Sequence, residues 1–342
     1  MKPNPKQNIK AFLLKEIPQH SGDIVSFAAQ KLSVSRMTIH RYLKKLIEGN
    51  EIIQTGKQKG MRYFLKNSFD KALKFDITPN LSETNIWKKY FEAQFSTFPE
   101  NILTICDYGF TEIMNNAIDH SEGKRVIIKT ELENHCIKIM MIDDGIGIFQ
   151  KLQNKFHFPN KRESIVALSK GKLTTDPENH SGEGIFFTSR AFDTFSISAN
   201  GLYYLKNNIE NDWTLDDKKI ITGTAIVMEI SQHSQRTLKS IFNDFTNPDN
   251  FKFDKTDVIV KLSQFKEERL ISRSQAKRIL LGLDKFREVI LDFRDVKTVG
   301  QGFVDEVFRV FQQKHPEIQI IHKNANYNVR FMIERGINTA KI

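Results

Sequence analysis

The pattern of apolar residues changes twice along this chain of 342 residues. Residues 1–68 have the pattern of short helices followed by a hairpin, and residues 75–235 mix helices and strands in irregular order. Residues 240–342 alternate strand and helix regularly. Because a chain of this length exceeds an ordinary single domain, we predict a multidomain α+β protein with three domains at these boundaries.

Positive charge is concentrated in the first of these domains. The chain has a formal net charge of +10, and residues 1–66 account for +9 of it. A basic segment attached to a nearly neutral remainder is typical of a module that binds a polyanion. The charge therefore predicts such a partner for the N-terminal domain alone.

Cysteine content and hydropathy limit the cellular compartment. The two cysteines, Cys106 and Cys136, lie in apolar segments and lack the spacing of metal ligands. Buried thiols of this kind are typical of a reducing compartment. No apolar run approaches the length of a membrane span, and the first ten residues lack the apolar centre of a signal peptide. We expect a cytoplasmic protein without a membrane partner.

Two helical patterns in the N-terminal domain are separated by a short turn. Ser35 is a good N-cap for the second helix, whose apolar residues Ile39, Leu43, Leu46 and Ile47 share one face. The other face carries candidate DNA contacts, namely Arg36, Thr38, His40, Arg41, Lys44 and Lys45.

The segments "EIIQT" and "RYFL" then alternate like two strands around the basic tip "GKQKG", which contains Lys57 and Lys59. Together with the helices, these strands resemble the winged helix-turn-helix family of DNA-binding domains over residues 8–66. The resemblance implies double-stranded DNA as the partner, with the two tip lysines on its backbone. A small helical adaptor with a solvated basic face is the alternative.

The stretch "TEIMNNAIDHSEG" places Glu112, Asn116 and His120 four residues apart, so a helix would present them on one face with Asp119 beside them. Polar groups at such positions indicate the wall of a pocket. Three glycine motifs follow along the chain: "DDGIG" with Asp143, Gly145 and Gly147, "SGEGIFF" with Gly182 and Gly184, and "ITGTAIV" with Thr224.

In this order the four motifs resemble the ATP-binding domain of the GHKL superfamily, shared by gyrase, heat-shock chaperones, histidine kinases and mismatch-repair proteins. The resemblance covers about residues 75–232 and implies the Bergerat α/β sandwich, with ATP and Mg²⁺ as cofactors. It assigns Asn116 as a metal ligand through its amide oxygen and Glu112 as the catalytic residue that orients or deprotonates the nucleophile. Asp143 would accept a hydrogen bond from the adenine amino group, supported by Thr224.

The resemblance also places bare backbone of the glycine motifs next to the base and the phosphates. The segment between "DDGIG" and "SGEGIFF" would be the ATP lid, with Lys170 and Lys172 as candidate phosphate contacts. The remaining candidate pocket residues are Asp119, His120, Gly145, Gly147, Gly182 and Gly184.

Histidine is absent between Asn67 and Ile105, which argues against a histidine kinase with its phosphoacceptor ahead of the pocket. The segment "EIMNNAIDHS" most resembles anti-sigma-factor serine kinases, which phosphorylate a partner STAS domain. The C-terminal domain itself resembles a STAS-like family, on the residues Leu291-Asp292-Phe293, Gly300-Gln301-Gly302-Phe303 and Asp305-Glu306.

One departure separates this chain from the STAS partners of those kinases. They carry an Asp-Ser pair where this chain has Gly300-Gln301-Gly302, and the nearest hydroxyls are Thr298 and Ser274. Phosphorylation within the chain is therefore not expected from the motif.

Taken together, these features predict an ATP-responsive DNA-binding transcriptional regulator, in which Mg-ATP controls the flanking DNA-binding and STAS-like domains. An anti-sigma-type serine/threonine kinase or ATPase acting on a partner protein is the alternative. A topoisomerase-like or repair ATPase is disfavoured because the chain lacks the large transducer of such enzymes. The sequence is compatible with a protein partner of the STAS-like domain and with a homodimer.

Overall fold

The computed structural model describes residues 5–49, 51–56, 61–65, 71–96, 98–176, 178, 181–263 and 270–339. Within these residues there are three β-sheets, of two, seven and three strands. Helices pack on the two larger sheets, so the predicted class, a mixed α+β protein of more than one domain, agrees with the structure. The predicted DNA contacts Lys57 and Lys59 lie outside the described residues.

The N-terminal region, residues 5–65, consists of helices and a hairpin. Its elements are α1 (Pro5–Glu16), α2 (Ile24–Leu32), α3 (Arg36–Glu48), β1 (Ile52–Thr55) and β2 (Arg62–Leu65). The Ser35 side chain caps α3 by accepting a hydrogen bond from the backbone N–H of Thr38 at 3.1 Å, as the sequence predicts. Ile39, Leu43 and Leu46 are buried in a small core of this region.

The seven-stranded sheet, called the central sheet below, is antiparallel at every pairing, in the order β3-β4-β5-β9-β6-β7-β8. Its strands are β3 (Lys71–Asp76), β4 (Arg125–Glu133), β5 (Cys136–Asp143), β6 (Thr194–Ala199), β7 (Leu202–Asn207), β8 (Asp212–Asp217) and β9 (Thr224–Ser231). Alternate residues of β4, β5 and β9 are buried, as expected for a sheet with one face on the core.

Five of the described helices contribute to the same apolar core as the buried face of the central sheet. They are α4 (Glu83–Tyr90), α5 (Glu100–Asn115), α6 (Ile148–Phe156), α7 (Lys161–Lys170) and α8 (Gly184–Ala191). The helix α5 contacts β5, β9 and α8, which brings its C-terminal end to the edge where β5 ends and β9 begins.

The C-terminal region, residues 255–339, contains the three-stranded sheet, which is parallel in the order β10-β11-β12. Its elements are β10 (Lys255–Ile259), α10 (Arg273–Leu280), β11 (Glu288–Asp292), α11 (Gln301–Asp305, continued by a π-helix over Glu306–Phe311), β12 (Gln319–Lys323) and α12 (Tyr327–Thr339). Between the central sheet and this region lies α9 (Leu238–Phe245). The regular alternation of strand and helix predicted from the sequence is confirmed.

Across all the described elements, none is a helix with the length and apolar character needed to cross a bilayer.

One apolar core runs from the central sheet into the C-terminal region. Phe253 stands at the join, with its ring centroid 4.6 Å from that of Phe186 on α8 and 5.3 Å from that of Phe286. The two regions therefore share one apolar core and do not have separate ones.

An ion pair is buried at the same join. Arg190 on α8 donates to Asp257 on β10, and the two side chains are only 10% and 15% exposed. Burial by itself raises the pKa of Asp257, but Arg190 and Lys206 outweigh it and lower that pKa to about 2. The guanidinium also lies over the ring of Phe186, 3.4 Å from its centroid.

We predict that Asp257→Asn lowers the free energy of unfolding by about 3–5 kcal/mol, because it leaves buried positive charge without its partner. Since the pKa of Asp257 is depressed in the folded protein, its stabilisation is complete above about pH 4 and is lost as the pH falls toward 2. Denaturant titrations at pH 7 and pH 3 measure both effects. The exposed Asp244→Asn on α9 is the matched control, and equal stability of the two variants would contradict the prediction.

Candidate functional site

A pocket lies where the C-terminal end of α5 meets the end of β5 and the start of β9, and it encloses about 990 Å³ including its open mouth. Seven of the predicted site residues line it: Glu112, Asn116, His120, Asp143, Gly182, Gly184 and Thr224. The four motifs that the sequence places far apart thus meet around one cavity.

The helix that carries the first motif changes form inside the pocket. The α-helix α5 ends at Asn115, and Asn116–His120 form a π-helix. Short π-helical segments within helices often mark functional sites. The Asn116 side chain donates its amide N–H to the carbonyl oxygen of Glu112 at 2.6 Å, which leaves the amide oxygen as the acceptor of that side chain. This is the atom that a hard cation would use.

The carboxylate of Glu112 lies against the start of α8. A Cβ atom at Gly184 would collide with Oε2 of Glu112, so a larger residue at this position would have to displace the carboxylate. The backbone N–H groups at a helix start favour negative charge, which suits the position of this carboxylate.

Asp143 is the buried acid at the end of β5. Its Oδ1 accepts hydrogen bonds from the backbone N–H groups of Gly145 at 2.9 Å and of Thr224 at 3.2 Å. Burial raises the pKa of Asp143, and these hydrogen bonds oppose that rise. The Thr224 hydroxyl accepts from the N–H of Ile148 at 3.0 Å, which ties the start of α6 to β9 and to this acid.

Three of the predicted residues do not line the pocket. Asp119 is exposed. Gly145 packs against the backbone of Ser121, and Gly147 packs against the side chain of Asn200. These two glycines shape the turn that follows β5, so their effect on the pocket is indirect.

The structure directs Lys170 and Lys172, the candidate phosphate contacts, away from the pocket. The Lys170 ammonium group donates to the carbonyl oxygens of Arg278 at 3.2 Å and Leu281 at 3.0 Å, at the end of α10. Lys172 donates to the carbonyl oxygen of Lys285 at 2.7 Å. Burial lowers the pKa of Lys170 to about 7. Both lysines therefore bind backbone carbonyl oxygens of the C-terminal region and do not line the pocket.

Residues 168–173, called the connecting segment below, therefore have two sides. Leu168 and Leu173 line the pocket, while the two lysines between them contact the C-terminal region. Thr256 on β10 adds a hydrogen bond of 2.7 Å from its hydroxyl to the carbonyl oxygen of Lys170. A change in the pocket wall would thus reach the C-terminal region through one short stretch of chain.

Sequence reasoning missed several pocket residues. Lys151 on α6, Thr174 and Thr175 all line the pocket. The Thr175 hydroxyl lies 3.5 Å from Nδ1 of His120. The apolar part of the wall includes Val126, Met141, Leu152, Leu168, Leu173 and Ile226. The alternation of β4, β5 and β9 predicts that Val126, Met141 and Ile226 are buried. The positions of Leu152, Leu168 and Leu173 at the pocket depend on how the helices and loops pack.

The polar groups fit a metal ion that is shared with a ligand. Among the described residues, no group of three or more His, Cys, Asp or Glu side chains is placed to hold a metal ion by itself. Mg²⁺ is usually held by one or two protein oxygens together with phosphates and water. The amide oxygen of Asn116 and the neighbouring Glu112 match that kind of site.

The candidate DNA contacts of α3 that are exposed form a basic surface on the side away from the small core. They are Arg36, His40, Arg41, Lys44 and Lys45. Thr38 is half-buried, and its hydroxyl lies 3.0 Å from that of Ser35, so it takes part in the helix cap. Met37 is 81% exposed and was not singled out by the sequence pattern.

Comparison with known families bears on the C-terminal region. Residues 275–330 match a family described as a STAS-like domain of unknown function (DUF4325). The C-terminal region contains a STAS-like domain. The match runs from α10 through β11, α11 and β12 into α12, and it confirms the resemblance seen in the sequence. The comparison with curated proteins gave no match.

The STAS-like domain has no hydroxyl at the start of α11, where Gly300 precedes the first turn. The alternative acceptors Ser274 and Thr298 are both exposed. The Ser274 hydroxyl lies 2.9 Å from that of Ser272 at the cap of α10.

Proposed function

We propose that this chain is an ATP-responsive DNA-binding regulator. In this proposal residues 1–68 are a winged helix-turn-helix domain, residues 75–235 a GHKL ATP-binding domain, and residues 240–342 the STAS-like domain. The observation that carries the proposal is the convergence of Glu112, Asn116, Asp143, Gly184 and Thr224 on one pocket. Each comes from a motif whose role the resemblance had assigned separately.

Asp143 would recognise the base. Its Oδ1 already accepts two backbone N–H bonds, and a carboxylate fixed in this way is oriented to accept from an amino group on a ligand. Asn116 would supply its amide oxygen to Mg²⁺, which when bound neutralises phosphate charge. The backbone N–H groups of Gly182 and Gly184, which line the pocket, would donate to the phosphates at the start of α8.

We predict that Asn116→Ala and Asp143→Asn each weaken Mg-ATP binding at least tenfold. The first variant removes the metal ligand, and the second turns an N–H donor toward the amino group of the base. Calorimetry with Mg-ATP measures the change, and Asn115→Ala, one residue from the pocket wall, is the control. Parent-like binding by both variants would show that the pocket is assigned wrongly.

A second candidate function is phosphate transfer or hydrolysis, as in the anti-sigma-type kinases and ATPases. It is favoured by Glu112, a carboxylate that lines the same pocket as Asn116 and lies one helical turn from it. Glu112 would accept a proton from the attacking water or hydroxyl group. In that case the N-terminal region would only localise the enzyme.

We expect Glu112→Gln to retain ATP binding within about twofold and to lose at least 100-fold in turnover, because the carboxylate acts on the nucleophile and not on the bound nucleotide. Phosphate release and transfer to a STAS-domain protein are the two measurements. Turnover by the variant equal to that of the parent would eliminate the enzymatic candidate. A parent without turnover would favour the binding switch.

The exposed basic face of α3 and the charge of +9 on residues 1–66 support DNA as the partner of the N-terminal region. A physical link between this region and the pocket domain passes through β2. Tyr63 belongs to the small N-terminal core, while its neighbour Phe64 packs in the core of the central sheet. Because adjacent strand residues point to opposite faces, β2 is held on both sides.

We predict that a non-hydrolysable ATP analogue changes DNA affinity about fivefold or more, since coupling free energies of about 1–3 kcal/mol are typical between linked sites. Titration of labelled DNA with and without the analogue measures the shift. Asn116→Ala should abolish the shift, whereas Arg41→Ala should weaken DNA binding and lower its salt dependence without removing the nucleotide effect. Superimposable curves for the parent would mean that the two sites are uncoupled.

A further inference from the structure

Lys151 is the one lysine or arginine among the described residues that line the pocket. The same wall carries two acids, Glu112 and Asp143. A polyphosphate entering this pocket would meet their negative charge, so its binding requires compensating positive charge from the wall, from a metal ion or from both. We propose that Lys151 is the side chain that binds the phosphate groups of the nucleotide, an inference that rests on the proposed function.

The ammonium group of Lys151 is already held at the pocket wall. It donates to the carbonyl oxygen of His120 at 2.7 Å, and His120 itself lines the pocket. The side chain is only 20% exposed, so it has little freedom to swing into solvent. A lysine placed in this way pays little further ordering cost when a ligand arrives.

The second partner of Lys151 is exchangeable. Glu122 lies 3.1 Å from its ammonium group, and the Glu122 side chain is 57% exposed. An exposed ion pair contributes little, because water solvates the carboxylate almost equally well. A phosphate oxygen can therefore replace Glu122 at Lys151 while the bond to His120 is kept.

The other nearby lysines are held elsewhere. Lys170 and Lys172 donate to backbone carbonyl oxygens of the C-terminal region. Lys155, one turn further along α6, is exposed and does not line the pocket. The charge requirement and the geometry thus select the same residue.

Binding of ATP, ADP and adenosine to the full-length protein with Mg²⁺ tests the proposal. We expect Lys151→Met to weaken ATP binding about 10- to 100-fold, as for the loss of a hydrogen bond to a charged group, and to leave adenosine within about twofold. Lys155→Met is the matched control and should bind all three ligands as the parent does. Lys151→Arg should recover part of the ATP affinity, since it keeps the charge.

Glu122→Gln provides a second variant that does not depend on the stability of the first, because Glu122 is largely exposed. It removes the competing carboxylate, so it should tighten ATP binding and leave adenosine unchanged. Equal ATP affinity of Lys151→Met and the parent would overturn the inference and leave the proposed function standing. Equal losses for ATP and adenosine would assign Lys151 a structural role and overturn it too. If the parent binds neither ATP nor ADP, the proposed function itself fails.

Discussion

The ion pair between Arg190 and Asp257 fixes how the two halves of the large apolar core meet. Arg190 belongs to α8, the helix that begins at the pocket, and Asp257 belongs to β10 of the C-terminal region. Both charges are buried. Separating the two halves would therefore expose apolar surface and at the same time break an ion pair that lies in a low-dielectric environment. This requirement holds the C-terminal region directly against the pocket elements α7 and α8.

That placement gives the connecting segment its double role. The carbonyl oxygens at the end of α10 would lack hydrogen-bond partners within their own helix, and Lys170 supplies donors to two of them from the neighbouring region. Lys172 and Lys285 each donate to the backbone carbonyl of the other. In the proposed function, movement of Leu168 or Leu173 on nucleotide binding would therefore alter the contacts of the STAS-like domain.

Much of the local structure follows from the sequence. The hydroxyl at Ser35 and the apolar spacing after it determine where α3 begins and which face it buries. The alternation in β4, β5 and β9 and the regular order of the C-terminal elements are equally local signals. The four polar and glycine motifs also sufficed to select seven of the residues that line the pocket, although Asp119 turned outward at the π-helix after Asn115.

The sequence by itself determined the elements, the basic N-terminal face and the motifs of the pocket, because each depends on residues within about one or two turns of each other. Only the tertiary structure decided where the lysines go. Lys151 reaches a carbonyl 31 positions earlier in the chain, and Lys170 reaches carbonyls 108 and 111 positions later. A long flexible side chain takes the acceptor that packing brings near it, and no local pattern encodes which acceptor that will be. The shared core was decided in the same way, since Phe186, Phe253 and Phe286 meet only after the central sheet and the STAS-like domain have folded against each other.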